Sequence, residues 1–193
     1  MKAAHPRRNS KREDLIKAGI QEINKHGIAG FSMRRIADDC GLSCGAPYKH
    51  FENRKDFIAA VIEYVNGQWR VRQQELLDQY AGDLRRQIVE MSVGYVEFLM
   101  EHPHYRSILM LKDEEFDNTY HRLRGELSSP TQQLAQQFFD SVGMDDFTSR
   151  RKVYVVRSLI FGAVILMDNG EMAYNQETLE FIRFSINRES DLP

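Results

Sequence analysis

Between positions 32 and 51 the chain sets two short apolar faces on either side of a glycine, and this spacing restricts the fold more than any other stretch. Met33, Ile36, Ala37 and Cys40 fall at i, i+3, i+4 and i+7, one face of a short helix. Ser32 stands just ahead of that face, where its hydroxyl can accept a free backbone N–H. Gly41 stands just after it, where a positive φ ends a helix without steric penalty. Ser43 is placed to cap a second short helix, Cys44 to Phe51, with Tyr48 and Phe51 as its large non-polar side chains. Two short helices joined by a glycine-containing turn are what a helix-turn-helix needs, the motif that seats its second helix in the DNA major groove.

The rest of the chain keeps the helical period and shows no strand alternation of useful length, so the fold class is all-α. Leu15, Ile16, Ala18, Ile20 and Ile23 mark a helix from Lys11 to His26, closed by Gly27. A long helix starts near Asn53 and reaches about Tyr80, with Phe57, Ile58, Val61, Ile62, Val65 and Trp69 in register. Ala81-Gly82 interrupts the pattern, and it resumes from Leu84 to Glu101. Pro103 opens a short helix. Residues 112–125 are acidic and read as irregular, and Ser129-Pro130 reads as the start of the next helix, closed by Gly143. Thr148 to Asn169 forms a long, mostly apolar helix, and Asn175 or Thr178 caps a last one that runs through Arg188. Three regions result: a basic arm at 1–10, a three-helix unit at 11–56 and a helical second domain at 57–193. No Pro, Gly or Ser linker separates the last two, so a continuous helix joins them.

Charge is unevenly distributed. Residues 1–70 hold 13 Lys and Arg against 8 Asp and Glu, whereas residues 71–193 hold 13 against 20. A basic amino-terminal part on an acidic body suits one polyanion-facing end. The arm, with Lys2, Arg7 and Arg8, reads equally well as a follower of the DNA backbone or as a loose terminus. The longest apolar run, Val153 to Met167, contains Arg157 and Ser158 and is shorter than the ~20 residues that span a bilayer. With no signal-peptide pattern, the expectation is a cytoplasmic protein with no membrane partner. Cys40 and Cys44 straddle a turn and read as thiols rather than a redox pair or half of a metal site. Glu101 and His104 make a single Glu-x-x-His pair, where helical di-iron proteins use two. No nucleophile–base motif or phosphate loop occurs, so the reading is of a non-enzyme without metal or cofactor.

The ordered run Ser32-Met33-Arg34-Arg35-Ile36-Ala37, Cys40-Gly41-Leu42-Ser43 and Gly45-Ala46-Pro47-Tyr48-Lys49-His50-Phe51, with Arg54 beyond it, resembles the DNA-reading part of the TetR-type (tetracycline-repressor) family of bacterial regulators. The resemblance covers residues of about 11 to 60. It implies that Tyr48, Lys49 and Arg54 meet phosphates, and that Cys44 and Ala46 approach base edges, Ala46 offering a methyl as to thymine. Ser32, Arg34, Ser43, Pro47 and His50 complete the candidate DNA-binding set. Pro47 and Cys44 depart from the family pattern. A proline at the fourth helical position lies at the limit of what a first turn tolerates, so the reading helix starts loosely.

The resemblance also implies a homodimeric regulator, a repressor by expectation, whose partners are a palindromic double-stranded operator and an unidentified small-molecule effector. A helical-bundle enzyme and a ligand-free DNA-binding or adaptor protein are the other readings of such a chain. Aromatic residues after Gly82 exceed what packing requires, and they set the expected effector wall: Tyr95, Phe98, His102, Tyr105, Phe116, Phe138, Tyr154 and Phe161, between the 84–101 and 148–169 helices. Arg157, within an apolar helix, is expected to be buried and either paired with a carboxylate such as Asp168 or turned to a ligand. Small residues one turn apart, Ser158 and Gly162, with Leu166, Leu179, Ile182 and Ile186, are the expected four-helix dimer interface.

Overall fold

The structure, a computed structural model, describes residues 6–109 and 118–191. Every regular element among them is helical. In chain order these are α1 (Pro6–His26), α2 (Met33–Asp39), a 3-10 turn (Pro47–Lys49), α3 (Arg54–Gln79), α4 (Leu84–Glu101), α5 (Pro103–Leu109), α6 (Asn118–Ser141), α7 (Asp146–Asp168) and α8 (Gln176–Glu189). Helix α1 begins at Pro6 rather than Lys11, since a proline lacks only an N–H that the first turn leaves unused. Helix α6 begins at Asn118 and runs through Pro130, so Pro130 lies inside a helix rather than at its start.

The chain divides into two compact units, Met1–Gly67 with Pro103–Arg124, and Gln68–His102 with Gly125–Pro193. The first unit is built on an aromatic trio. Phe57 lies with its ring 5.3 Å from Phe31 and 4.2 Å from Phe51. Gly19 of α1 comes so close to Phe57 that an added Cβ would stand 2.4 Å from the ring, which is why this helix carries no side chain there. Leu15, Ile36, Ile58 and Ile62 close the same core without exposure to solvent. Deep in this unit, Asn66 donates to the carbonyl of Leu123 at 2.8 Å and accepts from the Tyr105 hydroxyl at 3.1 Å.

In the second unit α4, α7 and α8 pack on one another. Trp69, fully buried, lies 5.2 Å from Tyr95 and 5.1 Å from Phe98. From α6, Ala135 and Phe139 meet Ile88, with Leu134, Phe138, Met144 and Val153 around them. The starts of α4, α7 and α8 are each fastened by a polar side chain. Asp83, Asp145 and Asn175 accept from the backbone N–H three residues on, at 2.9, 3.0 and 2.9 Å.

Candidate nucleic-acid interface and effector cavity

Local chemistry sets the reading end from its supports outward. Ser32 caps α2 by accepting from the Arg35 N–H, and its own N–H donates to buried Glu22 at 3.1 Å. The Arg35 guanidinium donates to the same carboxylate, through Nε at 2.8 Å, and to the carbonyl of Gly30. One acid on α1 therefore holds the loop and the first turn of α2. Gly41, at φ 64°, ends α2 in a Schellman arrangement: its N–H reaches Asp38 O at 3.0 Å and the Leu42 N–H reaches Ala37 O at 2.9 Å.

The second helix of the motif is shorter than its pattern predicts. Instead of a helix from Cys44 to Phe51, residues 44 and 45 form a turn and only Pro47–Lys49 winds, as a 3-10 turn without a side-chain cap. Pro47 has no N–H to give the Ser43 carbonyl four residues back. That carbonyl accepts from Ala46 at 2.8 Å, closing a smaller ring, and the chain tightens. Ser43 thus contributes its carbonyl, where the sequence suggests a hydroxyl cap.

Exposure sorts the candidate DNA residues. Tyr48 is 59% exposed, and Arg34, Ser43, Cys44 and Lys49 also face solvent. Ser32, Ala46, His50 and Arg54 are half-buried, and Pro47 is buried, packed inward by the turn it shapes. Arg54 donates to the carbonyl of Ile28, so part of its fork braces the loop after α1 rather than facing outward. Glu22 and Arg35, which position the reading end, are invisible to the motif pattern because their partnership spans 13 residues. Burial, followed by the charges of Asp14 and Asp39, pushes the Cys40 thiol up, which makes it a poorer nucleophile. No cluster of three His, Cys, Asp or Glu suited to a metal occurs among the described residues.

The second unit contains a cavity of about 650 Å³ counting its mouth, of which about 60 Å³ admits the centre of a water-sized sphere. From α4 come Ile88, Ser92 and Tyr95; from α7 come Lys152, Val153, Val156, Arg157, Ile160 and Phe161. Helix α6 adds Ser128, Thr131, Gln132, Ala135 and Phe139, where the sequence reading took only Phe138 from this helix. Lys152 is buried, yet its ammonium is satisfied by the carbonyls of Glu189 and Asp191, each at 2.9 Å, where α8 ends. Carbonyls at a helix C-terminus carry partial negative charge and suit a cation. Burial pushes the Tyr95 phenol up, opposed by the charge of Arg157.

Three expected wall residues line this cavity: Tyr95, Arg157 and Phe161. Phe98 and His102 stack on each other at 4.2 Å, with His102 Nδ1 at 2.9 Å from the Phe98 carbonyl; Phe98 is core and His102 half-buried, and neither lines the cavity. Tyr105 is fully buried in the other unit. Phe138 packs behind Phe139, and Tyr154 is 71% exposed. Phe116 lies outside the described residues. Arg157 is exposed rather than buried, because the apolar run of α7 is wider than the face its neighbours cover, and it makes no ion pair among the described residues. Ser158, Gly162 and Leu166 lie toward the surface, and a Cβ on Gly162 would meet nothing within 4 Å. Leu179, Ile182 and Ile186 are instead buried within the chain, while Phe181 and Phe184 stand 59% and 64% exposed on the opposite face of α8.

Residues 15–61 match the family described as bacterial regulatory proteins, tetR family. The chain is 26% identical over 137 residues to YerO of Bacillus subtilis (strain 168), an uncharacterized HTH-type transcriptional regulator; that match covers 71% of this chain and 43% of YerO. In fold it is similar to the fatty acid degradation regulator FadR from Bacillus halodurans, with a TM-score of 0.75 at 15% identity over 98% of this chain and 96% of that one. It is similar also to FadR from Bacillus subtilis in complex with stearoyl-CoA, with a TM-score of 0.72 at 14% identity over 92% and 96%. No described helix is long and apolar enough to cross a membrane. The matched residues contain the whole reading end, from the Glu22 brace to Arg54, and together with the relatives in sequence they support a TetR-family transcriptional regulator.

Proposed function

We propose that this regulator is a repressor that binds a palindromic operator as a homodimer in the cytoplasm and leaves it when a small molecule fills the cavity of the second unit. The observation that carries the reading is the coexistence, in one chain, of a solvent-facing reading turn with Tyr48 and Lys49 exposed and a separate unit holding an apolar cavity. The stearoyl-CoA complex of a neighbour in fold supports ligand control. The mechanism is linkage. A ligand that favours the conformation with poorly spaced reading heads weakens DNA binding by the factor by which DNA weakens the ligand.

The outer faces of α7 and α8 support the dimer reading. Ser158, Gly162 and Leu166 recur one turn apart, with exposed Ile165 beside them, and Phe181 and Phe184 share a stripe on α8. Such an apolar strip on two packed helices suits a symmetry mate. A ligand-free adaptor would have a closed second core, and the cavity weighs against it. Selection of bound DNA from a random pool tests the reading: an enriched inverted repeat supports it, and recovery of unrelated single sites removes it. Release of the selected DNA by a ligand, and reporter expression that rises with that release, would establish the sign of regulation.

A further inference from the structure

The cavity and its mouth differ in chemistry. Its surface is almost entirely carbon, from Ile88, Ala135, Val156 and Ile160 among others. Its buried cation, Lys152, is committed to the carbonyls where α8 ends and does not serve a ligand. Arg157 is different. It lines the cavity and also the adjoining surface groove with Arg150, Tyr154 and Ser158, so it stands at the mouth between the two. It is exposed and has no hydrogen-bond or ion-pair partner among the described residues. Arg150 beside it is occupied by Asp146 at 2.8 Å. The Tyr95 phenol, which feels the Arg157 charge, lines the same cavity and makes no hydrogen bond among the described residues. Glu189 is the only acid of the lining, against two cations.

We propose that the effector is a single-headed amphipathic anion, its apolar body in the cavity and its one negatively charged group on the guanidinium of Arg157, with the Tyr95 hydroxyl as a second donor. This rests on the reading of the cavity as the effector site and narrows the ligand. A planar guanidinium matches a carboxylate, sulfate or sulfonate head through paired N–H donors. A polyphosphate head, such as a coenzyme A thioester carries, needs a cluster of free cations, and among the described residues lining the mouth only Arg157 is unpaired.

The test uses Trp69, the only tryptophan of the chain, which lies 5.2 Å from Tyr95 and reports on the cavity wall. Decanoate, decanol, decyltrimethylammonium and decanoyl-CoA are titrated into the full-length protein, with tryptophan emission and calorimetry as readouts. Decanoate is expected to bind at least about tenfold tighter than decanol, the worth of one charge-assisted hydrogen bond. Arg157→Gln is expected to abolish that difference and leave decanol affinity unchanged, and Arg157→Lys to restore part of it. Because Arg157 is exposed, both variants should melt like the parent, and the melts are recorded alongside. Equal binding of acid and alcohol, tighter binding of decanoyl-CoA that ignores Arg157, or no binding by any probe overturns the proposal. Operator binding is measured separately on the same samples: a protein that selects an inverted repeat yet ignores decanoate fails here while remaining a DNA-binding regulator.

Discussion

Glu22 sits on the inner side of α1 among Ile23, Ile16 and Leu15, where periodicity alone asks for an apolar residue. Its burial is tolerated because the Ser32 N–H and the Arg35 guanidinium both donate to it. Replacing Glu22 with Ala leaves those donors without their acceptor, and the expected cost is about 1–3 kcal/mol, read from urea melts of the parent and the variant. An unchanged midpoint would mean that water replaces the carboxylate freely. Lys49 belongs to the other side of the same unit. It is exposed and its side chain makes no hydrogen bond or ion pair among the described residues, so Lys49→Ala should leave the melt unaltered. It should weaken binding to all DNA sequences alike and lower the salt slope by about one unit. A slope that stays the same removes Lys49 from the phosphate contacts. Lys49 could be singled out from the sequence because the motif is local. The Glu22–Arg35 brace and the tie from Arg54 to Ile28 were not, because they join residues 13 and 26 positions apart and leave no periodic trace.

Helix ends were the most readable elements, and prolines the least. Gly41, Gly82, Gly143 and Gly170 all adopt positive φ where a helix stops, and the pattern marks each of those stops. Pro47 and Pro130 each mislead in one direction. Pro47 shortens the reading helix to a 3-10 turn by removing the bond that would close its first full turn. Pro130 looks like a helix start, yet α6 runs through it, with side-chain bonds from Gln132 to Ser128 at 3.1 Å and from Gln133 to Ser129 at 3.4 Å spanning the weakened turn. The burial of Ala135 and Phe139 one to two turns later holds the helix on its core. At the start of α7, hydrogen bonds from Thr148, side chain first and then backbone, hold the Asp145 carboxyl below its ordinary range. A group whose folded value is lowered contributes stability that is complete above the ordinary carboxylate range and is lost as pH falls through the lowered value. Asp145→Asn keeps the capping oxygen and removes the charge, so its melting temperature should depend less on pH across that acid window. Identical acid limbs for parent and variant would show that the cap draws nothing from the charge.

At the scale of the molecule, the all-helical fold and the family were legible from spacing and motif, whereas the orientation of α8 was not. Periodicity states that Leu179, Ile182 and Ile186 share a face; it does not state whether the chain's own core or a second copy covers it, and here α8 turns them inward. Phe181 and Phe184 are left outward, and on α7 a Cβ added to Gly162 would likewise meet nothing within 4 Å. Gly162→Glu is therefore expected to give a monomer in sedimentation at concentrations where the parent is a dimer, with the melt of the monomer preserved because the added side chain meets no atom of its own chain. A variant that remains dimeric would move the interface elsewhere. The division into units has a consequence for synthesis. The first unit takes Pro103–Arg124 as well as Met1–Gly67, so the two units interleave along the chain. A nascent chain that has just delivered residue 67 holds Asn66 without the Tyr105 hydroxyl and the Leu123 carbonyl that satisfy it in the finished protein. The ribosome must first release residues 68–102 of the other unit before the DNA-reading unit can close. The reading end is encoded first and completed late, and a transcript cut short before residue 103 yields a motif without its full support.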